Sequence, residues 1–255
     1  MNPLTRLNVA VGRWVFHYRN AMFPTIFALT VLLLRPRVLF GNPALDRALV
    51  IAGAVIALTG QAVRLLTIGF DYIERGGKEG KVWASKLVQG GIYAHTRNPM
   101  YLGNLLIATG MCLYTDAPAA YLCIIPLFAY FYNTIMVAEE TFLREKFGPE
   151  YAAYCSRVPR MLPSLRGLRN TFGNATYDWR RSIWKDLSTM TGLLLGLACL
   201  PFWRTYFLEG LHAAKADAPV TLALAAAVLA LFAILHQLKK RRVFFYMPSE
   251  LADGA

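Results

Sequence analysis

The chain alternates long apolar runs with polar segments. Four of the runs approach or reach the roughly 20 residues that a helix needs to cross the hydrocarbon core of a bilayer. They lie at about residues 45–66, 117–138, 187–208 and 218–235. Two shorter runs lie at about 21–34 and 100–114, and the second begins directly after Pro99. The pattern therefore predicts six membrane-spanning helices, the first of which needs residues 14–18 to reach sufficient length.

A short turn brings distant polar groups together. Only residues 114–118 separate the third predicted span from the fourth, which makes these helices antiparallel neighbours. Arg97 precedes the third helix, and Glu139 and Glu140 end the fourth, so all three return to the same depth. An arginine that faces two carboxylates at the membrane boundary suits a zwitterionic amino-acid group. A plain ion pair at the helix ends is the alternative interpretation.

Lipid is the environment that the composition favours. Hydrophobic residues make up 56% of the chain and charged residues only 16%, so the outer surface cannot all face water. Backbone groups inside a bilayer must find their hydrogen bonds within their own segment, which requires each span to be helical. We therefore expect an all-α fold, a polytopic transmembrane helical bundle of about six spans.

The positive charges indicate an orientation. Most of the 27 Lys and Arg residues fall in segments that share one side of the membrane if both termini are cytosolic, although Arg35 and Arg37 fall on the other side. Such an asymmetry follows the positive-inside rule, so we predict an integral membrane protein with both termini in the cytosol. The net charge of +12 favours membrane lipids over nucleic acid as partners, because the basic residues stand beside apolar spans.

Metal sites and hydrolytic triads have little support in the sequence. The four cysteines lack metal-ligand spacing, and the four histidines are too scattered to bind an ion together, so we predict no metal site. No Ser-His-Asp set is visible either. His95 lies in the polar segment before Pro99, where we expect packing or solvent exposure rather than catalysis.

The polar segments carry a recognisable motif. Its residues run from Gly91 to Gly103 (Gly-Ile-Tyr-Ala-His-Thr-Arg-Asn-Pro-Met-Tyr-Leu-Gly) and continue with Glu139-Glu140, Phe147-Gly148, Tyr151, Tyr154 and Arg157-Val158-Pro159. This motif resembles the isoprenylcysteine carboxyl methyltransferase and phospholipid methyltransferase superfamily, over about residues 60–163. In that superfamily a tyrosine, an Arg-His-Pro-x-Tyr sequence and a glutamate pair enclose S-adenosyl-L-methionine between the membrane and a cytosolic cap.

The resemblance implies a function and a set of site residues. It implies an S-adenosylmethionine-dependent methyltransferase that acts on a hydrophobic or lipid-embedded acceptor at the cytosolic membrane face. The cofactor-binding candidates are Tyr93, Arg97, Asn98, Pro99, Tyr101, Glu139, Glu140 and Arg157. Arg97 and Glu140 are also the catalytic candidates.

Two departures from the superfamily pattern bear on the site. Asn98 stands where the superfamily most often has histidine, and its amide can both donate and accept a hydrogen bond. Prenylcysteine-modifying members tend to carry basic residues about a turn before the glutamate pair, whereas residues 133–137 contain none. The methyl acceptor stays open between an amine headgroup, a thiol, a carboxylate and an isoprenoid or quinone-like oxygen.

Two other functions fit parts of the pattern. Sterol-type membrane reductases share a similar architecture and an Arg-His-x-Asn-Tyr motif but bind a nicotinamide cofactor. Pro99 and the Glu139-Glu140 pair favour methyl transfer over that chemistry. A transporter or assembly factor would place ionisable groups deep in its spans, and Arg64 is the candidate that we identify for such a group.

The predicted domain boundary follows the motif. Residues 1–165 form the predicted membrane methyltransferase core. Residues 166–255 combine an interfacial helix, anchored by Trp179 and Trp184, with two further spans whose role the sequence leaves open.

Overall fold

A computed structural model describes residues 2–38, 41–70, 82–174 and 176–241. Within these ranges every regular element is helical, which confirms the all-α prediction. The α-helices are α1 (Pro3–Leu33), α2 (Pro43–Phe70), α3 (Pro99–Tyr114), α4 (Ile125–Arg157), α5 (Leu168–Asn174), α6 (Trp179–Glu209) and α7 (Leu211–Lys240). A 3-10 turn, Gly91–Ala94, precedes α3, and a π-helical segment, Ala120–Ile124, leads into α4.

The chain divides into two compact units. The first, Met1–Thr176, contains α1 to α5, and the second, Tyr177–Ala255, contains α6 and α7, which pack against each other. All of the candidate site residues belong to the first unit. The functional boundary expected after residue 165 stays a prediction.

The expected number of six spans is too high. Among the described helices, four are long and apolar enough to cross a membrane: α2, the continuous helix Ala120–Arg157, α6 and α7. Helix α3 has only 16 residues and is therefore about 24 Å long, shorter than a hydrocarbon core of about 30 Å. Helix α1 is long enough, but Arg6, Arg13 and Arg19 interrupt its apolar sequence.

Helices α2 and α3 pack with their backbones almost in contact. A Cβ atom added to Gly60 would lie 2.6 Å from the carbonyl oxygen of Gly103, and one added to Gly53 would lie 2.7 Å from that of Gly110. The two glycines of each helix are seven residues apart, so they lie on one face. Arg64 of α2 donates a hydrogen bond to the side chain of Asn104 on α3. This packing fixes the start of α3, where the candidate site begins.

Helix α1 packs along α4 through aromatic rings. The ring of Phe23 lies 4.6 Å from that of Tyr132 and 5.4 Å from that of Phe128, measured between centroids. Val15, Phe16 and Ile135 are buried in the same cluster. These contacts place the middle of α1 beside the first turns of α4.

A break in α4 folds its last turns over the start of α3. Gly148 has φ 48° and ψ −121°, a conformation that favours glycine, and Pro149 follows it. Beyond the break, Tyr151 and Tyr154 are buried against Leu87. The chain then returns to the segment before α3, where the backbone N–H of Arg97 donates to the carbonyl oxygen of Pro159 at 2.9 Å.

Candidate active site

Glu140 lies at the centre of a cluster of polar side chains. Both of its carboxylate oxygens accept from Nε of Arg160, at 2.9 and 3.1 Å, and Oε1 also accepts from Nδ2 of Asn98 at 3.2 Å. Nη1 of Arg97 is 3.9 Å from the same oxygen. The Glu140 side chain is only 16% exposed, so two cations and an amide compensate a carboxylate that has lost most of its hydration.

Arg97 is held by its backbone and by one end of its guanidinium. Its Nη1 donates to Sγ of Cys155 at 2.8 Å, in addition to the ion pair with Glu140. Burial is the largest single influence and by itself lowers the pKa of Arg97, but Glu140, Cys155 and Tyr151 together outweigh it, and the pKa of Arg97 is raised overall. Its Nε is buried without a hydrogen-bond partner among the described residues. Arg97 therefore stays cationic and keeps a donor that a bound group can use.

Glu139 has different partners from its neighbour Glu140. The hydroxyl of Tyr101, on the first turn of α3, donates to Oε1 of Glu139 at 2.6 Å. The ring of Tyr101 lies 5.9 Å from that of Tyr132, at the edge of the aromatic cluster between α1 and α4. Pro99 is buried and begins α3, where its missing N–H costs no hydrogen bond. The two glutamates thus face two different surroundings, one cationic and one aromatic.

The remaining two predicted site residues lie in the segments that cover the cluster. Tyr93 is buried in the 3-10 turn, and its carbonyl oxygen accepts from the hydroxyl of Tyr154 at 2.7 Å. Arg157 is exposed and donates to Oε1 of Gln89 at 3.2 Å and to the carbonyl oxygen of Ala153. The structure therefore brings Arg97, Asn98 and Glu140 together and leaves Arg157 bonded elsewhere. Its role stays a prediction.

Arg160 and Asn133 belong to the cluster although the sequence analysis did not select them. Nη1 of Arg160 donates to Oδ1 of Asn133 at 2.9 Å, and the carbonyl oxygen of Arg160 accepts from Nδ2 of Asn98 at 3.1 Å. Asn133 precedes Glu140 by seven residues, two helical turns, which places both on one face of α4. The seven-residue spacing of Asn133 and Glu140 and the position of Arg160 directly after the motif are the sequence features that could have identified these two residues.

Of the two alternatives expected for His95, packing and solvent exposure, the structure favours packing. It is buried, with Nδ1 2.8 Å from the carbonyl oxygen of Ser164 and Nε2 2.8 Å from the hydroxyl of Thr171. Both ring nitrogens are thus engaged in joining the segment after α4 to the turn before α3. Thr96 supports the same junction through a 3.0 Å hydrogen bond to the carbonyl oxygen of Met161.

Comparison with known proteins relates this site to a family. Residues 48–150 match the model of the phospholipid methyltransferase family. The chain is 30% identical over 110 residues to the cobalt-zinc-cadmium resistance protein CzcN of Cupriavidus metallidurans, a match that covers 40% of this chain and 50% of that protein. It is 29% identical over 118 residues to probable protein-S-isoprenylcysteine O-methyltransferases of Oryza sativa subspecies indica and japonica, covering 44% of this chain and 60% of each.

The matches extend over part of each protein. The chain spans half to three-fifths of the length of these relatives. No solved structure matches the chain. The matched residues include the turn before α3, all of α3 and the glutamate pair. Residues 48–150 are thus similar to phospholipid methyltransferases, and a stretch of 118 aligned residues is similar to probable isoprenylcysteine methyltransferases.

Proposed function

We propose that this protein transfers a methyl group from S-adenosylmethionine to a hydrophobic or lipid-embedded acceptor at the cytosolic membrane face. One observation carries the proposal. At the junction of α3 and α4, Glu140 is surrounded by Arg97, Asn98 and Arg160, and Glu139 lies beside it on the aromatic side. The family match supports methyl transfer as the chemistry.

The residues present fit the amino-acid part of the cofactor. A zwitterionic group needs a cationic donor for its carboxylate and an anionic acceptor for its ammonium. Arg97 offers Nε, which is buried and lacks a partner among the described residues. Glu139 offers Oε2, since its hydrogen bond from Tyr101 uses Oε1. Arg97 would hold the carboxylate and Glu139 the ammonium.

The bound cofactor would supply an activated methyl carbon on a sulfonium. The side chains of this chain have the simpler tasks of orienting the reactants and excluding water. Arg160 and Asn98 hold the carboxylate of Glu140, which in turn faces Arg97. Buried Tyr93, Tyr151 and Tyr154 cover the cluster.

Binding of the demethylated cofactor tests the proposal directly. We expect purified protein in detergent to bind S-adenosylhomocysteine, and Arg97→Ala and Glu140→Ala to weaken that binding at least about tenfold, since each removes a hydrogen bond or ion pair to a charged group. Isothermal titration calorimetry measures the affinities. The matched controls are Arg144→Ala and Glu145→Ala, two exposed charges on α4 that should leave the affinity unchanged.

Two results would overturn the proposal. The first is saturable binding of NADPH without binding of S-adenosylhomocysteine, which would favour a reductase. The second is an unchanged affinity in folded Arg97→Ala and Glu140→Ala. If the affinities behave as expected, incubation with methyl-labelled cofactor and total membrane lipid should yield a labelled lipid whose identity defines the acceptor class.

A further inference from the structure

Arg19 of α1 takes no part in the hydrogen bonds and ion pairs around Glu140. Its guanidinium carbon lies 3.6 Å from the centre of the Phe16 ring. Its Nη1 is buried and has no hydrogen-bond partner among the described residues, nor does Arg19 form an ion pair with any of them. A buried guanidinium donor that stays unsatisfied is costly. Arg19 therefore resembles a group whose partner is a ligand.

The surroundings of Arg19 connect it to the proposed active site. It is close enough to interact electrostatically with Glu139, Tyr101 and Tyr132. Glu139 and Tyr101 are the pair on the aromatic side of the glutamates, away from Arg97 and Arg160. Arg19 thus lies near the Glu139–Tyr101 pair of the site.

An apolar surface adjoins Arg19. The rings of Phe23, one helical turn further along α1, and Phe131 of α4 are half-buried and lie 6.5 Å apart. A guanidinium next to such rings suits a molecule that has an acidic head and an apolar body, because the charge is satisfied by paired hydrogen bonds while the body leaves water.

We propose that Arg19 binds a carboxylate or phosphate group of the methyl acceptor, whose apolar part lies against Phe23 and Phe131. The identity of the ligand as the acceptor rests on the proposed function. The assignment narrows the open set of acceptors to those that carry an acidic group. Arg19 would also serve, from α1, as the basic residue for an acidic substrate group, since residues 133–137 contain none. Helix α1 lies outside the segment that matches the family model.

A pair of probes that differ only in charge tests Arg19. We expect the protein in non-ionic detergent, at a pH that ionises the carboxylate, to bind dodecanoate about tenfold more tightly than dodecanamide. Arg19→Gln should abolish that preference, and Arg19→Lys should retain part of it, since a lysine keeps the charge but loses the paired geometry. Arg13→Gln, which removes an exposed arginine of the same helix, should behave as the wild type.

Affinity for S-adenosylhomocysteine, measured on the same preparations, separates the outcomes. Unchanged affinity in Arg19→Gln together with loss of the dodecanoate preference supports the proposal and shows that the variant is folded. If Arg19→Gln fails to fold, Arg19→Lys provides the test. A preference for dodecanoate in Arg19→Lys as strong as that of the wild type would refute the paired hydrogen bonds to Arg19. Equal binding of the two probes by the wild type overturns the proposal, as does a preference that survives in Arg19→Gln.

Two further results distinguish the possible sources of the acidic group. Weaker binding of S-adenosylhomocysteine by Arg19→Gln, with the dodecanoate preference intact, would assign Arg19 to the cofactor carboxylate and refute the acceptor assignment. A wild type that prefers dodecanoate but does not bind S-adenosylhomocysteine would overturn the proposed function and leave the acidic-ligand site supported.

Discussion

At the scale of single residues, the chemistry of this protein depends on how Glu140 is held. Arg160 contacts both oxygens of its carboxylate through Nε, while its Nη1 is oriented by Asn133. Asn98 connects the same carboxylate to the backbone of Arg160. Three segments therefore meet at one carboxylate: the turn before α3, the middle of α4 and the chain after α4.

Removal of Arg160 tests this arrangement. We expect Arg160→Ala to weaken binding of S-adenosylhomocysteine about tenfold or more, because Glu140 loses two charge-assisted hydrogen bonds and is no longer held in place. Arg160→Lys should restore part of the affinity through its charge. Arg166→Ala, an exposed arginine of the same segment, is the matched control for titration calorimetry. Equal affinity in Arg160→Ala and the control would show that Glu140 is positioned without Arg160.

At the scale of helices, the close packing of α2 and α3 determines where the site begins. Gly60 faces Gly103 and Gly53 faces Gly110, with no room for a Cβ atom at either crossing. Small residues that let backbones approach closely are a common means of helix association in membranes. Because Arg97 and Asn98 immediately precede α3, a shift of α3 would move the cationic side of the site.

Substitution of Gly60 tests the role of this packing. Gly60→Ala should destabilise the protein by about 1–3 kcal/mol, since the added methyl group collides with backbone rather than with a movable side chain. The measurement is thermal unfolding in detergent. Gly192→Ala on α6, where a Cβ would meet no atom within 4 Å, should be neutral or slightly stabilising because alanine favours helix. If both variants unfold at the same temperature, the helices are not held at the glycine crossing.

At the scale of the whole molecule, all of the active-site candidates belong to the first of the two compact units. Each predicted site residue, as well as Arg160 and Arg19, lies within Met1–Thr176, and the second unit, Tyr177–Ala255, consists of the α6–α7 pair. Ala214 is the one fully buried residue of helix α7, and most of the others are exposed. Such a surface suits lipid.

Truncation tests whether the two units are functionally separate. A protein that ends at Thr176 should bind S-adenosylhomocysteine with an affinity within about threefold of the full chain, because all the proposed cofactor contacts remain. Titration calorimetry again provides the comparison, with circular dichroism to confirm that the helices form. Loss of binding in a helical truncated protein would show that α6 or α7 contributes to the cofactor site.

The local sequence determined the helices and one long-range contact. Continuous apolar runs of sufficient length indicate helices, because a helix satisfies its backbone hydrogen bonds within its own segment in lipid. The proximity of Arg97 to Glu140 also followed from local information. Once the turn at residues 114–118 makes α3 and α4 antiparallel, residues about 40 apart must meet.

Only the tertiary structure decided the other partners of the site. Arg160 reaches Glu140 because α4 breaks at Gly148 and the chain folds back, and Arg19 lies near Glu139 because α1 packs along α4. Neither event has a periodic signature, since each depends on packing between segments that are distant in sequence. The number of spans was overestimated for the same reason. Hydropathy detects apolar runs but does not show whether each run forms a helix long enough to cross a bilayer. Helix α3 is too short to cross by itself and instead packs closely against α2.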